Sequence, residues 1–100
     1  MNNGQVVQRF WDNSTRYAQS RSLFYNPTSG LFSYNTIILQ RLGKHILGNG
    51  TKYSQTTSCH QSIASMYNAD VVLYNVPRGC QDLLPEANKL YYILDYILNS

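Results

Sequence analysis

The stretch from Phe32 to Asn68, FSYNTIILQRLGKHILGNGTKYSQTTSCHQSIASMYN, most constrains what this chain can fold into. Its first part is rich in Phe, Tyr, Thr, Ile and Leu and runs into a Gly-Asn-Gly triplet, which reads as strand, turn and returning strand. Its last part opens on Gln55-Thr56-Thr57-Ser58, a helix start, and then sets Ile63, Met66 and Tyr67 on one helical face with Cys59. Strands joined by tight turns and followed directly by a helix predict an α+β fold, a small antiparallel sheet of three to five strands packed against two or three helices. One hundred residues suffice for a single domain over 1–100 with a modest core and no metal or disulfide staple.

The rest of the chain is read around that stretch. Val6, Val7, Phe10 and Trp11 share the spacing of one helical face, which predicts a short helix within residues 4–11. Residues 12–22, DNSTRYAQSRS, have no periodicity and read as a loop carrying Arg16 and Arg21. Leu23-Phe24-Tyr25 followed by the turn composition Asn26-Pro27-Thr28-Ser29-Gly30 predicts a hairpin whose second arm runs from Leu31 to Leu42. Alternation along that arm leaves neither face purely apolar, so parts of both are expected to be covered.

His45-Ile46-Leu47 is expected as a short strand, Gly48-Asn49-Gly50 as a type I′ turn, and Thr51-Lys52-Tyr53-Ser54 as the returning strand. A capping box from Ser58 to Gln61 would start the next helix, which ends at Asn68-Ala69-Asp70. Val71 to Val76 reads as an inner strand. Pro85 and Glu86 suit the first turn of a C-terminal helix with Leu90, Leu94, Ile97 and Leu98 on its core face and Tyr91, Tyr92 and Tyr96 beside it.

Charged residues make up only 13% of the chain, and Asn, Gln, Ser, Thr and nine tyrosines take their place on the surface. Such a surface is adaptable for binding, because Tyr supplies contact area at low entropic cost. The net charge of +3 is unevenly spread: the first 52 residues carry six Lys/Arg against Asp12 alone, and the remainder is acidic on balance. That asymmetry points to an acidic partner or to attraction between the halves. No apolar run reaches the roughly 18 residues of a membrane span, and the N-terminus has no secretory pattern. A cytoplasmic protein without membrane contact is expected, with Cys59 and Cys80 as free thiols.

Catalytic chemistry finds little support in the pattern. Adjacent residues on a helix point about 100° apart, which sets Cys59 and His60 poorly for a dyad. The five acidic residues are scattered, and the cysteine and histidine spacings match no zinc site. The expectation is a non-enzymatic protein with no metal and no cofactor. Arg16, Arg21, Tyr34, Arg41, Lys44, Lys52 and Tyr53 form a candidate basic and aromatic surface for a partner protein or a nucleic acid. Thr57 and Ser58 at the helix start, with His60, form a candidate anion site, because free N–H groups there attract phosphate or carboxylate.

Ser33-Tyr34-Asn35-Thr36 and the run from Tyr53 to His60 supply the motifs S-Y-N-T and Y-S-x-T-T-S-x-H. In these, over roughly residues 23 to 67, the chain resembles small proteins encoded by bacteriophages, plasmids and related mobile elements. The resemblance implies a viral or mobile-element protein acting in the host cytoplasm, as a monomer or homodimer. The expected activity is inhibition or modulation of a host protein complex, a defence nuclease being one such target, in the manner of anti-CRISPR proteins. The alternative is a small basic accessory protein that binds nucleic acid.

Overall fold

The structure is a computed structural model that describes residues 1–89. The chain begins with helix α1 (Asn3–Trp11), then strands β1 (Ala18–Ser20), β2 (Leu23–Asn26), β3 (Gly30–Ser33), β4 (Thr36–Leu42) and β5 (His45–Asn49). Helix α2 (Gln55–Ile63), a 3₁₀ turn (Met66–Asn68), strand β6 (Val71–Leu73) and helix α3 (Leu84–Asn88) follow. The six strands form one sheet in sequence order, antiparallel from β1 to β5, with β6 parallel to β5. The fold is therefore α+β, with more strands than the three to five expected and a mixed rather than purely antiparallel sheet.

Helix α1 forms where the spacing of Val6, Val7 and Phe10 predicts it. Asn2 accepts the Gln5 N–H at 2.9 Å while the Gln5 side chain accepts the Asn2 N–H at 2.9 Å, a reciprocal cap that satisfies two otherwise free donors. Its apolar face covers one side of the sheet, joined by Leu23, Tyr25, Leu31, Ile38, Leu39, Ala64 and Met66. The opposite side carries Phe32, Ile37, Leu47 and Leu73, covered by Val76, Leu83 and Ala87 of the C-terminal segment. Both faces of the sheet are thus buried, as the mixed pattern of Leu31 to Leu42 anticipates.

A bulge sorts residues between the two cores. Leu31 pairs with Leu39 but Phe32 pairs with Ile37, so Ile38 is an extra residue on β4 and turns to the α1 side together with Leu39. Gly30 makes this approach possible: its φ of 139° lies where side chains are disfavoured, and a Cβ there would run into the Leu39 carbonyl.

Several expectations are corrected. The loop proposed for residues 12–22 contains strand β1, whose three residues pair with Leu23, Phe24 and Tyr25. The arm proposed from Leu31 to Leu42 is two strands, broken at Tyr34-Asn35. Asn49-Gly50 is not a hairpin turn, and residues 51–54 do not return as a strand: Asn49 stays in β5, where its side-chain amide donates to the Ile37 carbonyl at 3.0 Å. The partner that β5 takes on its outer side is β6, which among the described residues is an edge strand rather than an inner one.

Helix α2 starts four residues earlier than the Ser58 box implies, capped by the Ser54 hydroxyl, which accepts the Thr57 N–H at 3.2 Å. It ends at Ile63 rather than near Asn68, and Cys59, Ile63 and Tyr67 are exposed while Thr57, His60 and Gln61 are buried. Pro85 lies in the first turn of α3 as expected. The proposed core positions Leu90, Leu94, Ile97 and Leu98, and Tyr91, Tyr92 and Tyr96, lie outside the described residues.

Candidate functional site

The topology sorts the candidate residues onto two ends of the sheet. Antiparallel strands in sequence order place the turns at residues 27–29 and 43–44 at one end, and those at 21–22 and 34–35, with the start of α2, at the other. Arg16, Arg41 and Lys44 belong to the first end; Arg21, Tyr34, Lys52 and Tyr53 belong to the second. The seven residues of β4 that separate them span roughly 20 Å. The seven residues read as one surface are therefore divided between two.

At the Tyr34 end the two sequence motifs meet. A cavity of about 260 Å³ is lined by Ser33, Tyr34, Asn35 and Thr36 from the β3–β4 turn, by Tyr53, Ser54, Thr56 and Thr57 from the α2 start, and by Arg78. Stretches separated by some twenty residues come together because α2 leaves the same end of the sheet at which β3 turns into β4.

Beneath the cavity the hydroxyls form a chain. Ser54 Oγ donates to Thr57 Oγ1 at 3.2 Å, Thr57 Oγ1 lies 3.0 Å from Ser33 Oγ, and Ser33 Oγ lies 2.6 Å from His60 Nδ1. Burial holds the His60 pKa below its ordinary value, because a charged imidazole would lose hydration, so the ring is neutral at pH 7. A neutral ring has one N–H, so Ser33 Oγ either donates to Nδ1 and accepts from Thr57, or accepts from Nδ1–H and donates to Thr57; both tautomers keep the chain connected.

A Ser–His contact invites a nucleophilic reading. Ser33 is only 1% exposed, however, and both of its hydrogen bonds are spent within the cluster. Among the described residues no hydrogen bond or ion pair orients the His60 Nε2 side. The arrangement is a buried clamp that ties β3 to α2 through Ser33, Thr57 and the Nδ1 side of His60.

A second network shapes the cavity wall. Asn49 Nδ2 donates to Tyr53 Oη at 2.9 Å, Tyr53 Oη donates to the Val76 carbonyl at 2.6 Å, and Gln61 Nε2 donates to the Asn49 and Thr51 carbonyls at 2.7 and 3.0 Å. Thr36 Oγ1 accepts the Gly79 N–H at 2.8 Å. These bonds hold Arg78 beside Tyr53, its guanidinium 5.7 Å from the ring centroid and 3.4 Å from the Tyr53 carbonyl.

Tyr34 is the unusual member of the site. Its φ is 56°, a left-handed conformation that favours glycine, yet a tyrosine occupies it and is 52% exposed. Its N–H donates to the Ser22 carbonyl at 2.6 Å, which binds this turn to the Arg21 turn beside it, and its ring centroid lies 6.4 Å from that of His60. Residues kept in such a conformation cluster at functional positions.

Each remaining candidate has a definite place. Arg16, Arg21, Lys44, Lys52 and Ser58 are exposed, while Thr57 and His60 are buried in the hydroxyl cluster. Arg41 is half-buried, donates to the Phe10 carbonyl at 2.7 Å and lies 5.1 Å over the Phe10 ring. Sequence reasoning missed Ser33 and Arg78. Ser33 could have been found in the S-Y-N-T motif, whereas nothing local to Pro77-Arg78-Gly79 marks Arg78.

Cys59 and Cys80 are free thiols. Among the described residues no helix is long and apolar enough to cross a membrane. No protein family matches the chain, and no curated protein or solved structure matches it at a significant level.

Proposed function

We propose that this chain is a small non-enzymatic binding protein, of phage or mobile-element type, that docks its Tyr34 end on a host protein complex and inhibits or modulates it. The observation that carries this reading is Tyr34, a bulky aromatic held at positive φ and exposed beside the stacked Tyr53–Arg78 pair. Tyrosine and arginine are the residue types that most often anchor protein interfaces. Arg21 and Lys52 at the same end give the rim a positive charge that suits an acidic face on the partner. The target class includes host defence nucleases, and the site of action is the host cytoplasm.

Nucleic-acid binding is the second reading, supported by the same aromatic and basic groups acting as stacking platforms and phosphate contacts. The division of the basic residues between two ends of the sheet favours the protein partner, since a bound strand needs a continuous positive track.

A tagged pull-down from host lysate, with and without nuclease and read by mass spectrometry, separates the two. A stoichiometric protein partner retained through nuclease and about 300 mM salt supports docking on protein, because phosphate contacts weaken steeply at that ionic strength. Recovery of nucleic acid, or of proteins that leave with nuclease, favours the second reading.

A further inference from the structure

The opposite end of the sheet holds a separate cavity of about 230 Å³, between the C-terminus of α1, the β2–β3 turn and the end of β4. Arg41 forms one wall. Its guanidinium carries five N–H donors, of which the Phe10 carbonyl takes one at 2.7 Å. Among the described residues no carboxylate lies within ion-pair distance of it; the pairs there are His45–Asp70 and Lys89–Glu86.

The facing walls carry Asn13, Thr28 and Ser29. The backbone N–H groups of Thr28 and Ser29 are held by the Asn26 side chain at 2.8 and 3.3 Å, but their hydroxyls, like the Asn13 amide, bond to no described residue. No acidic side chain lines the cavity. A half-buried cation with only one of its N–H donors engaged by a described residue, and three polar side chains that bond to no described residue, thus line one cavity from three elements.

We propose that this cavity binds a single phosphate-type oxyanion, gripped by the free N–H groups of Arg41 and by the Asn13, Thr28 and Ser29 side chains. Donors that approach from several directions match a tetrahedral group better than a planar carboxylate, for which one bidentate arginine suffices. The volume is below the roughly 300 Å³ at which pockets for drug-sized ligands begin, so the ligand is inorganic phosphate or the tip of a phosphate monoester. This site is independent of the Tyr34 end.

Titration calorimetry of the full chain with inorganic phosphate at low ionic strength tests it. Saturable binding at one site is expected, weakened at least tenfold by Arg41→Gln and at least threefold by the double variant Thr28→Ala/Ser29→Ala. The double variant removes no intramolecular hydrogen bond, so it stays folded even if Arg41→Gln does not. Acetate should bind at least tenfold more weakly than phosphate. Methyl phosphate binding as tightly as phosphate assigns a monoester as the source, and its exclusion assigns free phosphate. Absence of saturation, unchanged affinity in the double variant, or acetate binding as tight as phosphate overturns the proposal.

Discussion

Replacing Tyr34 by glycine and by alanine isolates the cost of its backbone conformation. Both variants lose the ring and its contact with His60, so that loss cancels in the comparison. What remains is the backbone at φ 56°. A residue with a Cβ in the left-handed region is penalised by about 1–2 kcal/mol, which glycine escapes. Glycine in turn loses about 0.5–1 kcal/mol more backbone entropy on folding. The difference predicts Tyr34→Gly to be more stable than Tyr34→Ala by about 0.5–1 kcal/mol.

Urea unfolding followed by circular dichroism measures it. With a slope of about 1–2 kcal/mol/M for a chain of this size, the midpoints should differ by roughly 0.5 M. Exposed Ser62 in α2 is the internal control, where the order must invert and alanine must exceed glycine by about 1 kcal/mol. If Tyr34→Ala equals or exceeds Tyr34→Gly in stability, the backbone at this turn is not strained, and the argument from conformation to function loses its footing.

Ser33→Ala should destabilise the fold by about 1–3 kcal/mol, because it strands the His60 and Thr57 polar atoms in a buried site; a urea midpoint equal to wild type would contradict the clamp. Gly30→Ala should destabilise by about 2 kcal/mol or more, since a Cβ meets the Leu39 carbonyl at a φ closed to side chains, and thermal unfolding will read it. The folded-state pKa of His60 lies below its unfolded value of about 6.5, so its contribution to stability is complete above pH 6.5 and is lost as pH falls from there through the lowered folded pKa. Comparison with His60→Gln across that window should show a steeper acid loss in wild type; parallel profiles would contradict a buried neutral imidazole.

How much of this was legible in the sequence depends on which physical signal carried each element. Helix α1 was legible because apolar spacing marks it, and its cap uses residue types that announce caps. The turn at Tyr34-Asn35 was not, since the β-favouring Tyr34 takes the left-handed position and the single turn former Asn35 is outweighed by β-favouring composition on both sides. Asn49-Gly50 misled for the opposite reason: a turn dipeptide sits inside β5 because the asparagine amide is needed to bridge to Ile37 and Tyr53. On α2 the apolar spacing of Cys59, Ile63, Met66 and Tyr67 marks the core only at Met66, because burial on the helix itself is polar. Thr57, His60 and Gln61 are buried through hydrogen bonds to β3, Asn49 and Thr51, and a hydropathy pattern assigns such residues to the surface. The candidate residues themselves were legible as types, but their division between two ends of the sheet followed from strand order, which no local pattern encodes.

The central claim is that the Tyr34 end is the docking surface. The most direct measurement is the affinity of the partner recovered by pull-down for wild type and for Tyr34→Gly, the variant expected to retain the fold, with Lys44→Ala at the opposite end as reference. The account predicts that Tyr34→Gly loses at least tenfold in affinity, about 1.4 kcal/mol, while Lys44→Ala stays within twofold of wild type. Full affinity in Tyr34→Gly together with a large loss in Lys44→Ala would place the docking surface at the other end and contradict the account.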